Sequence, residues 1–166
     1  MGLLLAAGCA TIPPVPVTPF IDGRNFVLYE PLVYQRGNST NSVIVPDGFV
    51  ADFASIPRAF WVMFAPTGRY QWAAVVHDHL YWEQTTTREE ADNLFLAAMI
   101  ESGVSQSDRT FIYEAVRSGG DSAWRNNQKE RQQGLPRIIP PQYRKIPANT
   151  TWEEYRKFLY DRGVRP

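Results

Sequence analysis

Cysteine is almost missing from this chain: there is one, Cys9, in 166 residues. That excludes an intrachain disulfide and a multi-cysteine zinc site. Long apolar runs are missing too, and none approaches the ~20 residues of a membrane-spanning helix. Net charge is absent, with 17 Lys and Arg against 17 Asp and Glu. A chain that binds nucleic acid along its length reads strongly basic, so nucleic acid is not an expected partner. The sequence also lacks a glycine-rich phosphate loop, a His-x-x-x-His zinc pair and internal repeats. Histidine is scarce, with two in the chain.

What is present points to a packed domain. Hydrophobic residues make up 44%, including 5 Trp, 8 Tyr and 9 Phe, too many for a disordered chain. The length suits one domain with a buried core. Charge is balanced only as a sum. Residues 1–116 carry 6 basic and 12 acidic groups, and residues 117–166 carry 11 basic and 5 acidic. Two readings stand: scattered solvated charges, or a basic C-terminal region that meets an acidic protein or anionic lipid.

The N-terminus is a short apolar run ending in Leu5-Ala6-Ala7-Gly8-Cys9. It resembles a bacterial lipoprotein signal, although no Lys or Arg precedes Cys9. The resemblance implies cleavage of residues 1–8 and lipidation of Cys9, hence a membrane anchor and a cell-envelope location. Pro13, Pro14, Pro16 and Pro19 then favour an extended tether over residues 9–22. The alternative is an ordinary arm with a buried free thiol. Residues 23–166 are expected as one domain.

Alternating patterns predict strands at Asn25–Tyr29 and Leu32–Tyr34, a hairpin partner at Ser42–Val45, and a short strand at Phe49–Ala51. Helices follow. Ser55 and Pro57 open one to about Phe64, and a second spans Tyr70–Trp82. Thr87 with Glu90 forms a capping box for Arg88–Glu101. A fourth helix runs from Ser105 or Ser107 to about Ser118. Gly119-Gly120 interrupts it before a resumption to Gln128. Residues 129–149 read as loop, and Thr151 caps a last helix to Arg162. The fold class is α+β: a small N-terminal antiparallel sheet and a body of four to five helices.

Both histidines fall in the second helix, in His77-Asp78-His79-Leu80-Tyr81. Positions two apart on a helix diverge by about 200°, so the two rings cannot line one site. A short link makes the next helix an antiparallel neighbour and sets Asp92 at the height of His77. Asp92 then accepts from one ring nitrogen and leaves the other as a base for water. Asp78 points to an adjacent face, suited to a hard cation.

His77, Asp78, Tyr81 and Asp92 resemble the active-site helix pair of secreted phospholipases A2 over about 30 residues. The resemblance implies ester hydrolysis: His77 activates water, Asp92 orients it, and Asp78 helps bind calcium. The family's glycine-rich calcium loop and its disulfides are not matched here. A longer stretch, from about residue 40 to 100, carries Pro46-Asp47-Gly48-Phe49-Val50-Ala51-Asp52-Phe53-Ala54-Ser55, His77-Asp78-His79-Leu80-Tyr81 and Ala91-Asp92-Asn93-Leu94-Phe95. It resembles an uncharacterised bacterial and phage family, domain-of-unknown-function family thirteen fifty-three. That implies a bacterial, phage or prophage origin and no established activity.

Asp52 either joins His77, Asp78 and Asp92 in a polar, metal-binding cluster or caps a turn. Ser55 is a helix cap or a nucleophile served by His77. Arg58 is a candidate ion-pair partner for Asp52 or Asp92. The run Phe60–Phe64 reads as core or as a membrane-docking face. Two functions are therefore in play: a His–Asp ester hydrolase with catalytic His77 and Asp92 and calcium on Asp78 and Asp52, or a non-enzymatic envelope binding protein. The latter would be a phage-exclusion or virion-associated interaction protein.

Overall fold

The computed structural model describes residues 15–38, 40–53 and 70–166. Cys9, Ser55, Arg58 and the helix expected over residues 55–64 lie outside the described residues. Among the described residues the order is β1 Val17–Pro19, β2 Phe26–Leu28, β3 Leu32–Gln35, β4 Ser42–Val45, β5 Val50–Ala51, α1 Gln71–Glu83, α2 Arg88–Glu101, α3 Gln106–Gln132 and α4 Trp152–Asp161. This is the expected α+β order.

Two small antiparallel sheets form. One has the order β1-β2-β5, with Phe26 opposite Ala51 and Val27 opposite Val50. The other is the β3–β4 hairpin, registered from Leu32↔Val45 to Gln35↔Ser42. The extended proline stretch expected as a tether to residue 22 enters the first sheet at Val17–Pro19, where β1 pairs with β2. Val15 and Phe20 on either side are buried.

Helix α1 is the centre of the molecule. Ten of its side chains are buried, from Gln71 to Trp82, because it packs on α2, α3, β4 and β5 together. It ends at Gln84, in left-handed conformation with φ 52°. Helix α2 starts three residues later with the Thr87–Glu90 capping box. Its stripe of Ala91, Phe95, Ala98 and Met99 turns to the core.

Helix α3 corrects the expected break at Gly119-Gly120, because it runs unbroken through both. Gly120 serves a packing role. A Cβ there would stand 2.4 Å from the Tyr81 hydroxyl, whereas one at Gly119 meets nothing within 4 Å. The loop assigned to residues 129–149 also shortens at its start, since α3 continues to Gln132. The segment beyond is built onto the sheet. Phe49 bridges Ile138, and the Val50 amide donates to the Arg137 carbonyl at 3.0 Å. This approach requires glycine at 48, with φ 81°, since a Cβ there would lie 2.3 Å from the Ile139 carbonyl oxygen. Helix α4 then closes a second core of Phe20, Val27, Val50, Ile139, Trp152, Tyr155 and Leu159.

Candidate functional site

The short α1–α2 link brings His77 and Asp92 together as the spacing predicts. His77 Nε2 lies 3.0 Å from Asp92 Oδ1. The same oxygen accepts from the Tyr81 hydroxyl at 2.6 Å. Asp92 Oδ2 accepts from Arg88, one turn back on α2, at 3.1 Å, and from Arg117 on α3 at 3.2 Å. One carboxylate thus gathers four donors from three helices. Burial alone would raise its pKa, but the hydrogen bonds from His77, Tyr81 and Arg117 carry it below the ordinary value. Burial lowers the pKa of His77 despite Asp92. The pair is therefore an ionised Asp92 and a neutral His77 whose Nε2–H donates to it. Burial, and then the Asp92 contact, push the Tyr81 phenol well above its usual value.

The His77–Asp92 pair within this cluster is closed to solvent. His77 and Asp92 are each 0% exposed. The imidazole is stacked on Phe95, with centroids 4.6 Å apart, and tilted against Tyr81 at 4.1 Å. A general base must come within hydrogen-bond reach of the proton it takes. In this arrangement the imidazole ties α1 to α2 and meets no solvent.

Asp78, one position along α1, faces a different set of groups. Its Oδ2 accepts the backbone amides of Asp52 at 3.1 Å and Phe53 at 2.9 Å. Those bonds hold Phe53 at φ 46°, a left-handed conformation rare for a bulky residue. Asp52 pairs with Arg137 at 2.9 Å. The Arg137 guanidinium also donates to the Val50 carbonyl and to Asn127 Oδ1, and it lies over the Phe49 and Trp82 rings. Burial opposes its charge, but Asp52 and Asp78 outweigh that and raise its pKa. The expected calcium donors are thus committed, one to backbone amides and the other to a cation. Among the described residues no group of three or more His, Cys, Asp or Glu could hold a metal ion. The donor set does not fit calcium.

The four residues expected to converge form two clusters, His77–Asp92 and Asp52–Asp78, with Tyr81 reaching both. The second cluster is open. Asp52, Asp78 and Tyr81 line a cavity of 210 Å³, together with Asn127, Glu130, Arg137 and Arg156 from the C-terminal third. Arg156 bonds Glu130 through Nη1 and the Pro136 carbonyl through Nε. Its Nη2 is buried and meets no acceptor. Burial holds its pKa below the ordinary arginine value. His79 points elsewhere, as the helix angle requires, and stands edge-on to Phe49 with centroids 5.2 Å apart.

The sequence reasoning found the acids and missed most of their cations. Arg88 was legible, four residues before Asp92. Arg117, Arg137 and Arg156 follow their partners by 25 to 85 residues or sit in a loop, and no local spacing marks them.

A family model described as "Protein of unknown function (DUF1353)" matches residues 26–116. The chain belongs to this family. The DUF1353 segment holds Asp52, His77, Asp78, Tyr81 and Asp92, and its last matched residue immediately precedes Arg117. The cations that complete both clusters therefore come largely from beyond it. No curated protein matches the chain. No solved structure matches it either.

Proposed function

We propose that this DUF1353 chain is a non-enzymatic binding protein of the bacterial envelope, of host or prophage origin, that captures a zwitterion of amino-acid size. The observation that carries this reading is the cavity at Asp52 and Asp78. Its acids, Asp52, Asp78 and Glu130, already hold amides or a guanidinium and would share an added ammonium group, and the unsatisfied Arg156 Nη2 supports capture of a carboxylate. Its 210 Å³ suits a free amino acid or a short peptide end rather than a larger molecule. The Leu5–Cys9 motif supports a lipid anchor that holds the domain at the membrane. Two-dimensional NMR titration with glycine, D-alanine and D-alanyl-D-alanine tests the site. Binding should appear at millimolar concentration or below, and should vanish for N-acetylated and amidated forms and in Arg156→Met. Equal binding of the blocked forms, or no binding by any zwitterion, overturns the reading.

Ester hydrolysis of the phospholipase A2 kind is the second reading, favoured by the 3.0 Å contact of His77 with Asp92 and opposed by the sealed ring. The expected result with a chromogenic ester is no turnover above buffer in the wild type. Turnover that disappears in a folded His77→Ala variant would reverse the order of the two readings.

A further inference from the structure

A second cavity, of 490 Å³, opens on the His79 side of α1. The β3–β4 hairpin supplies one wall through Val43 and Ile44, and the helices supply the other through Leu80 and Leu94. His79 and Thr86 sit between these walls, and Tyr34 and Arg36 stand on the hairpin side. His79 Nδ1 and Thr86 Oγ1 are both buried, and neither has a hydrogen-bond partner. Unsatisfied buried polar atoms are uncommon in folded proteins and each calls for an explanation. The residues that carry them line one cavity, as does Tyr34, whose hydroxyl is also unpartnered, and a ligand that bonds His79 and Thr86 explains two of the three together.

The charge around the cavity narrows the ligand. The His79 imidazole is neutral at physiological pH, since burial pushes its pKa down to about 4. Thr86 is a neutral dipole. Charges occur on the hairpin side, where Tyr34 feels both Arg36 and Glu101. Arg36 itself lines the cavity, and Glu101, which acts on Tyr34 with the opposite sign, counters it at that edge. An ionised head group seated between His79 and Thr86 would lose its hydration against two neutral partners. The volume lies within the range of small-molecule sites, which pair apolar walls with a few convergent polar groups.

We infer that this cavity binds an uncharged amphiphile, with an apolar body against Val43, Ile44, Leu80 and Leu94 and a neutral amide or hydroxyl head between His79 and Thr86. The site is separate from the Asp52–Asp78 cavity and does not depend on the zwitterion reading. The two histidines of the chain give a direct readout, because His79 faces this cavity and His77 does not. Titration of the full chain with octanamide should shift the His79 ring resonances and leave those of His77 in place. Octanoate and octylammonium should bind roughly tenfold more weakly or not at all. Leu94→Trp, which fills the cavity from the partly buried face of α2, should abolish the shift while the His77 signals report an intact fold. Octanoate or octylammonium binding as tightly as octanamide would overturn the neutral-head assignment. No His79 shift at saturating octanamide, or a shift that persists in Leu94→Trp, would overturn the site itself.

Discussion

At the scale of single residues, Asp92 is the fully buried acid on which three helices converge. It is 0% exposed and bonds His77, Tyr81, Arg88 and Arg117. Asp92→Ala strips the counter-charge from two guanidiniums and leaves a buried imidazole and phenol without an acceptor. A loss of about 3–5 kcal/mol in denaturant unfolding is expected. Arg88→Ala should cost only about 1 kcal/mol, since its side chain is 25% exposed, and Arg117→Ala, at the more exposed side chain, should cost no more. The histidines set the acid side of the stability profile. A lowered native pKa means that the unfolded chain binds the proton first. The stability is therefore complete above the unfolded value of 6.5 and is lost as pH falls toward about 4 for His79. His77 acts in the same direction, whereas the Asp92 contribution is lost only below the ordinary aspartate value of 3.8. His79→Leu should flatten the slope between pH 6.5 and 4 by an amount on the order of 2 kcal/mol, measured by denaturant melts across that range.

At the scale of elements, two neighbouring glycines in α3 separate helix propensity from packing. Gly119→Ala meets open space and should stabilise by about 0.5–1 kcal/mol. Gly120→Ala drives a Cβ into the Tyr81 hydroxyl and should cost about 1–3 kcal/mol, with the Asp92 cluster disturbed. Opposite signs in thermal melts of the two variants would check this. The same pair shows where sequence reasoning ran short. The strands from Phe26 to Ala51, the capping box at Thr87, the cap at Thr151 and the His77–Asp92 contact follow from short-range periodicity and spacing, whereas β1 read as tether. Gly119-Gly120 read as a break because local propensity does not register a tyrosine 39 residues upstream that needs the room. The sealing of His77 was equally invisible, since a spacing rule places a side chain and says nothing of what stacks over it. The Asp52–Asp78 cavity was half legible, because its other wall comes from residues read as tail and loop.

At the scale of the whole molecule, the division into an acidic first two-thirds and a basic last third has an internal account. Arg117 pairs with Asp92, Arg131 with Glu83, Arg137 with Asp52, and Arg144 with Asp47. Four of the eleven basic groups in residues 117–166 are thus paired with the acidic portion of the chain. Ending the chain at Gly134 removes Arg137, Arg144 and α4, and uncovers Phe20, Val27 and Val50. Such a truncation should lose cooperative unfolding and bind a hydrophobic dye. If a membrane anchor is present, Cys9→Ser should move the protein from the membrane to the soluble fraction, and unchanged fractionation would remove that proposal.

The pairing of Arg137 with Asp52, 85 residues apart, also sets an order of events during synthesis. Synthesis delivers Asp47, Asp52, Asp78 and Asp92 well ahead of most of their counter-ions. The family's signature segment therefore emerges with Arg88 beside Asp92 but without the arginines that pair with Asp47 and Asp52. It can settle into its native form only when the closing stretch of polypeptide arrives to meet them.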